Sequence, residues 1–300
     1  MSRGADNARW YRPAGSLGDE AGGVEVRVDD EIDGWEHTGL IVVTVEESTS
    51  HSHRLDHRES VVVPLSGGVT VDVDGEVFEL RGRPGVFAGP TDVLYAPPGS
   101  TVTLTAPGPG PSRVALCLAR VPVGAEAHPV RQLAAEDVPV ELRGAGTASR
   151  MVRNFGVPGV LDASRIIACE VITPAGNWSS WPPHKHDEER RGVETELEEI
   201  YYFETRSTSN RGPDPVGYQR VYGTQERPID VLAEVRSGDV VLVPHGWHGP
   251  AMAAPDADLY YLNVMAGPGA ERAWLICDDP AHGWVREEWT DLPVDPRLTE

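Results

Sequence analysis

The sequence predicts an all-β protein, two tandem β-barrels joined by a polar connector, with few short helices. Three observations predict it. Glycine and proline are abundant, at 32 and 26 of 300 residues, and they are scattered between short apolar runs. That is the pattern of many turns joining many strands. The runs themselves are rich in β-branched residues or alternate between apolar and polar. Two stretches of the chain also share an order of events, as a repeated unit would.

The opening segment to Glu31 is polar and glycine-rich and reads as irregular. Strands are then expected at 40–46, 60–65, 69–73, 77–80, 93–96, 101–105 and 114–119. Asp74-Gly75 makes a hairpin turn between two of them, because Asp-Gly accepts the positive φ such turns need. A more polar stretch, 122–149, carries a short helix near 129–136 and leads to a second set of strands. These lie at 165–172, 199–205, 217–222, 233–235, 239–244 and 259–265. Short strands at this spacing make a sandwich or barrel. In each half an HxH string precedes a carboxylate and a strand. A turn later precedes a strand ending in Pro and Gly: DVLYAPPG at 92–99 and DVVLVPHG at 239–246. The first barrel is assigned to residues 1–125 and the second to 126–300.

Composition excludes some functions. A formal charge of −21 with no Lys/Arg cluster argues against nucleic acid, whose phosphates demand a basic surface. Cys117, Cys169 and Cys277 are far apart and form no CxxC, so reduced thiols in a cytoplasmic protein are expected rather than disulfides or a thiolate zinc site. The N-terminal MSRGADNARWYRPAG lacks the apolar stretch of a signal peptide. No run approaches the roughly 20 apolar residues of a membrane helix. The expected protein is cytoplasmic, with no membrane and no nucleic-acid partner.

The chemistry concentrates in GNWSSWPPHKHDEERRGVETELEEIYYFET, residues 176–205. His184 and His186 stand at i and i+2, so on a strand both imidazoles project to one face, close enough to share an ion. A helical site would use i and i+4. Glu199 opens the next strand, EIYYF, where it can face the same cavity. His248 closes the set in VLVPHGWHGP, aimed inward by a tight turn at Pro244 and Gly246. Three imidazoles and one carboxylate suit a divalent metal ion, Zn, Mn, Fe or Ni, and leave positions open for substrate oxygens.

This arrangement resembles the two-part cupin signature. The wording also resembles the 5-deoxy-glucuronate isomerases of myo-inositol catabolism, relatives of the 5-keto-4-deoxyuronate isomerases of pectin breakdown. The strings that carry it are GWEHTGL, FAGPTDVLY, PVELRGAGTASRMVRNF, GNWSSWPPHKHDEE, LEEIYYF, VLVPHGWHGP, YYLNVMAGP and DPAHGWV, spread over nearly the whole chain. PPHKHDEE and YYLNVMAG are the most specific. The resemblance implies a bicupin of jelly-roll-like barrels and conversion of 5-deoxy-D-glucuronate to 5-dehydro-2-deoxy-D-gluconate. It also implies a metal in the second barrel only.

Two departures matter. Arg206 stands where the general signature has a glycine, and extra residues separate the histidines from the strand. Glu198 therefore competes with Glu199 for the ligand position. Glu199 is preferred because Tyr201 and Phe203 then line the cavity with it, whereas alternation sends Glu198, Ile200 and Tyr202 to the opposite face. In the first barrel His51, His53 and Glu59 imitate half of the signature. Thr101 stands where the closing histidine belongs, so that barrel is read as structural, with His57 in a surface loop.

The implied substrate, in open-chain form, has an aldehyde beside a hydroxyl-bearing carbon. A metal chelated by both oxygens polarises the carbonyl as a Lewis acid and offsets the charge of an enediolate. No nicotinamide is needed, and no GxGxxG follows a strand. Candidates for moving the proton are Glu198, Glu199, Tyr201 or a metal-bound water. Lys185 points outward if its neighbours point inward. The substrate carboxylate wants a bidentate arginine. Arg220, on one face with Tyr218 and Tyr222, is either that clamp or a surface residue in a salt bridge. Arg153 and Asn154 are further candidates, and Arg272 is expected to pin a loop. Trp181, Trp247 and Trp274 are candidate pocket walls. The alternatives are the pectin-type isomerase, a metal cupin dioxygenase, and a non-catalytic sugar-binding bicupin. A regulator would need a helix-turn-helix or basic element, and none is visible. A homo-oligomer is expected.

Overall fold

Branched and aromatic side chains pack well on a pleated surface, and here they build three β-sheets. The computed structural model describes residues 3–19, 22–126, 128–209 and 215–299. The first sheet contains the strands Val24–Val28, Thr38–Val45, Ser50–Arg54, Arg58–Val73, Glu76–Arg83, Val93–Ala96, Thr101–Thr105 and Ser112–Arg120. Its long strand, Arg58–Val73, serves two neighbourhoods. The N-terminal half pairs with Ser112–Arg120 and Val93–Ala96, and the C-terminal half with Glu76–Arg83 and Thr101–Thr105. The register shifts at Pro64 and Ser66, so the strand bends there and folds the sheet on itself.

Alternation divides the buried residues of this sheet between two cores. Ile41, Val43, Val62, Leu94, Leu116 and Leu118 fill the N-terminal unit's own interior. Their neighbours Leu40, Val42, Val61, Val63 and Tyr95 join the larger core shared with the C-terminal half. That core is enclosed by the other two sheets. One runs in the order Tyr11–Arg12, Val240–Val243, Glu198–Ser207, Ala257–Ala266, Ile167–Thr173, Arg150–Gly156, Val140–Arg143. The other contains Asp230–Val235, Gly217–Tyr222, Trp247–Ala253, His184–Lys185 and Cys277–Asp278, with Trp178–Ser179 beside Trp247–Ala253.

Two carboxylates lock the halves together reciprocally. Glu59 accepts hydrogen bonds from the backbone N–H groups of Ser164, Arg165 and Ile166 at 2.8, 2.6 and 2.7 Å, and from the Tyr95 hydroxyl at 2.8 Å. Glu198 accepts from the backbone of Glu36, His37 and Thr38 at 3.2, 2.7 and 2.6 Å, and from the Thr38 hydroxyl at 2.9 Å. Each sits near the start of a strand in one half and receives the segment leading into a strand of the other. Between them, Glu170 takes both Arg83 nitrogens at 2.7 and 2.6 Å, Arg153 at 2.9 Å and the Tyr260 hydroxyl at 3.0 Å. Strands are exchanged as well. Tyr11–Arg12 pairs with Val241 and Val240 of the C-terminal half, and Arg131–Leu133 pairs with Val93–Ala96 of the N-terminal half.

Two sequence expectations are corrected. The stretch 129–136 is not helical: Arg131–Leu133 is an edge strand and Ala135–Asp137 a single 3-10 turn. The partner strand at Val93–Ala96 offers ladder bonds that outweigh the local helix signals. The opening segment is not irregular either, since it holds the helix Asn7–Trp10 and the strands Tyr11–Arg12 and Val24–Val28.

Glu198→Ala strands three buried or half-buried backbone donors and should lower stability by about 3 kcal/mol. The urea midpoint measures this, and Glu59→Ala should behave alike.

Candidate metal centre

The site is assembled where the two C-terminal sheets face each other. His184 and His248 are directly paired residues of adjacent strands, and Glu199 reaches them from the opposing sheet. The ring centroids of His184 and His186 lie 4.4 and 4.6 Å from that of His248. One ring nitrogen from each of the three histidines falls within 4.8 Å of the others. Glu199 Oε2 stands 3.1 Å from Nε2 of both His186 and His248. All four residues are buried.

Backbone carbonyls decide which way two of the rings present themselves. His186 Nδ1 lies 3.1 Å from the Leu197 carbonyl, and His248 Nδ1 lies 3.1 Å from the Gly246 carbonyl. Each Nδ1 therefore carries the proton, which leaves the Nε2 lone pair for the centre. The turn before His248 requires glycine: Gly246 has φ +93°, and a Cβ there would meet the Tyr222 carbonyl at 2.9 Å. Gly249 follows with φ +102° and would place a Cβ 2.1 Å from the Ser180 carbonyl. Asp187 ties the two histidine segments together. It accepts from Gly246 N–H at 2.8 Å and from Lys185 at 2.5 Å.

Electrostatics fit a cation. Burial, then the neighbouring His248 and His186, hold the His184 imidazole well below its ordinary pKa, so it is neutral. Burial alone would raise Glu199, but hydrogen bonds from His186 and His248 bring it down to about 2. Burial lowers His186, yet its bond to Glu199 outweighs this and raises it. His186 and Glu199 thus share a proton where a metal competes for the same lone pairs. His248 Nε2 is buried and faces Glu199 Oε2 at 3.1 Å. Three converging imidazole nitrogens and an ionised carboxylate fit a divalent metal of the transition series.

The cluster opens onto a cavity of about 450 Å³ lined by Arg143, Arg150, Ser180, Tyr201, Tyr261 and Trp274, among others. The Tyr201 ring stacks on Phe203 at 5.9 Å and lies 6.2 Å from His248. Its hydroxyl is 3.3 Å from Ser180 Oγ, which is 3.4 Å from the Tyr261 hydroxyl. Burial and the Glu199 charge raise Tyr201 well above the ordinary phenol range, so it stays protonated. A larger hollow of about 950 Å³, lined by Gly15, Glu25 and His51 at the junction of the halves, has no group of three metal-type donors among the described residues.

Other candidates are placed elsewhere. Glu198 faces the N-terminal half and is spent on Glu36, His37 and Thr38, so it neither competes with Glu199 nor reaches the cavity. Arg220 is no clamp: it pairs with Asp230 at 2.5 Å and donates to the carbonyls of Val221 and Val231. Its neighbour Gln219 takes the buried face of that strand. Arg153 is consumed by Glu170, and Asn154 donates to Glu141. Arg272 donates to the carbonyls of Gly156, Leu161 and Ile166 and pins that segment. Lys185 points away from the cavity to Asp187 and Glu194. Trp274 lines the cavity, whereas Trp181 packs on Trp178 and His282, and Trp247 lies beneath Lys185.

Sequence reading passed over Asp187, Ser180, Tyr261 and Arg150. Asp187 had a signal, as it directly follows the HKH string. Arg150 had a weaker one, two residues before Val152 on the face opposite Arg153.

Comparison with known proteins agrees with this architecture. The KduI/IolB family model matches residues 10–285. The 5-deoxy-glucuronate isomerase of Geobacillus kaustophilus (strain HTA426) is 40% identical over 282 residues, covering 93% of this chain and 96% of that protein. The protein of the same name from Bacillus subtilis (strain 168) is 37% identical over 249 residues, covering 82% and 86%. The crystal structure of an IolB-like protein from Salmonella typhimurium LT2 superposes with a TM-score of 0.81 at 32% identity, covering 92% of this chain and 99% of that one. Lactobacillus farciminis oxalate decarboxylase superposes with a TM-score of 0.60 at 12% identity over 96% and 95% of the two chains, a likeness of all-β cupin fold alone.

His248→Ala should abolish uptake of a divalent ion measured by elemental analysis. His51→Ala and Glu198→Ala should each retain about one ion per chain, as expected for a four-donor site.

Proposed function

The chain belongs to the KduI/IolB family, and on that premise we propose that it is a metal-dependent aldose–ketose isomerase acting on 5-deoxy-D-glucuronate. Its product is 5-dehydro-2-deoxy-D-gluconate, and its place is myo-inositol catabolism. The observation that carries the reading is the buried cluster of His184, His186, His248 and Glu199 at the wall of a cavity, in a chain 40% identical to a 5-deoxy-glucuronate isomerase. These four residues are the proposed ligands of one divalent cation. Bound there, the cation supplies Lewis-acid polarisation of the substrate carbonyl, which acidifies the neighbouring C–H.

The chain's own residues supply the rest. A space of about 450 Å³ suits a six-carbon sugar acid. Tyr201 is the proposed catalytic hydroxyl, because it lines that space as a neutral phenol. It donates a hydrogen bond to the substrate oxygen on which negative charge develops. Ser180 and Tyr261 extend from Tyr201 as a short chain of hydroxyls that holds its orientation. Trp274 and Trp289 wall the cavity and exclude water from the reacting carbons.

Two further readings accompany this one. The halves 1–125 and 126–300 are taken as two barrels with the metal in the second, a reading supported by the separate N-terminal core and by the location of the histidine cluster. A cytoplasmic homo-oligomer is proposed as well. Free Cys117, Cys169 and Cys277 suit a reducing compartment, and no helix among the described residues is long and apolar enough to cross a membrane.

Incubation of the purified protein with 5-deoxyglucuronate tests the proposal. Turnover should vanish on chelation, return on remetallation and consume no oxygen; unchanged turnover in metal-free protein contradicts it. Tyr201→Phe should lower kcat by roughly 10²–10³-fold with metal content intact, the usual loss on removing one such donor.

A further inference from the structure

Three guanidinium groups border the cavity beside the histidine cluster: Arg143, Arg150 and Arg286. Two are neutralised within the chain. Arg143 pairs with Glu141 at 2.8 Å, and Arg286 takes both carboxylate oxygens of Asp278. Arg150 differs. Its Nη1 donates to the carbonyls of Ala148 at 3.1 Å and Trp181 at 3.4 Å, and its guanidinium carbon lies 5.7 Å from the Trp289 ring. These partners carry no charge. Among the described residues Arg150 has no ion-pair partner, although it is only 8% exposed.

Burying a cation without an anion is unfavourable, and natural chains pair such groups or neutralise them. Neutralisation is not available here. Burial, and the like charges of Arg143 and Arg286, bring Arg150 down only to about 10, so it is protonated at neutral pH. The strand Arg150–Gly156 holds it in place: Arg150 and Val152 border the cavity while Arg153 turns away to Glu170. The carbonyls of Ala148 and Trp181 hold the guanidinium, with the Trp289 ring beside it. A planar, preorganised fork suits a carboxylate taken through two parallel hydrogen bonds.

We propose that Arg150 binds the carboxylate of the sugar-acid substrate and thereby selects uronates over neutral aldoses. This rests on the isomerase reading for its substrate and on the unpaired guanidinium for its residue. Arg143 and Arg286 contribute positive potential and no direct pairing, because each already holds a carboxylate.

The test separates the two readings. Two probes are titrated by calorimetry into metal-loaded wild type and Arg150→Gln. One is the C1-alcohol of 5-deoxyglucuronate, which cannot isomerise; the other is its neutral counterpart with a hydroxymethyl group in place of the carboxylate. Arg150→Gln should weaken the acid roughly 100-fold, the usual scale for losing one partner of a buried charge pair. The neutral probe should change by less than about 3-fold, since it never engaged the charge. Arg150→Lys, which keeps the charge and loses the fork, should fall between, and it replaces the glutamine variant if that one fails to bind metal. Equal weakening of both probes, or none, overturns the inference. Turnover of 5-deoxyglucuronate by the wild type is run alongside. Its absence overturns the isomerase reading, while the binding ratio still decides the role of Arg150.

Discussion

Desolvation of four donor groups at one point is the constraint on which the rest of this structure depends. His184, His186, His248 and Glu199 have been taken out of water and turned toward a shared centre, at the cost of solvation for every lone pair involved. Two of the imidazoles are oriented by carbonyls of Leu197 and Gly246, and both carbonyls belong to segments leading into the donors themselves. Asp187 joins the segments by holding the Gly246 turn. The surrounding fold thus keeps four polar groups convergent beside a large apolar core.

Strand alternation lets neighbouring carboxylates do opposite jobs. Glu199 turns into the cavity, and Glu198 turns out to grip Glu36, His37 and Thr38 of the other half. The ladders of Glu198–Ser207 with Val240–Val243 and Ala257–Ala266 set the register in which Glu199, Tyr201 and Phe203 face inward. Glu59 makes the mirror-image grip on Ser164, Arg165 and Ile166. Among the described residues the N-terminal half holds no cluster of three donors, yet it grips the start of the strand that carries Glu199. Its histidine pair on the strand Ser50–Arg54 stands opposite Val102 and Leu104, which offer no ligand atom.

The sequence made the all-β character legible through its turns and alternation, and the HxH, Glu and PxGxH strings picked out four residues that the fold brings together. Alternation also told Glu199 from Glu198, because period 2 is a local property. What it could not reveal depends on long-range pairing. The stretch 129–136 looks helical until Val93–Ala96 is seen to offer it a ladder. Arg220 and Arg153 have the right chemistry for a carboxylate, but Asp230 and Glu170 reach them from distant positions. Arg150 stands out only once the carboxylate partners of Arg143 and Arg286 beside it are known. An unpaired charge is a property of the folded chain, and no motif announces it.

The most direct measurement is an anomalous-difference map from crystals of active, metal-loaded protein, collected at the absorption edge of the metal found by elemental analysis. A single strong peak is expected about 2.0–2.3 Å from the Nε2 atoms of His186 and His248, a ring nitrogen of His184 and a Glu199 oxygen, the distances of ordinary nitrogen and oxygen ligands. A peak beside His51 and His53, or an active crystal with no peak between the two C-terminal sheets, would contradict it.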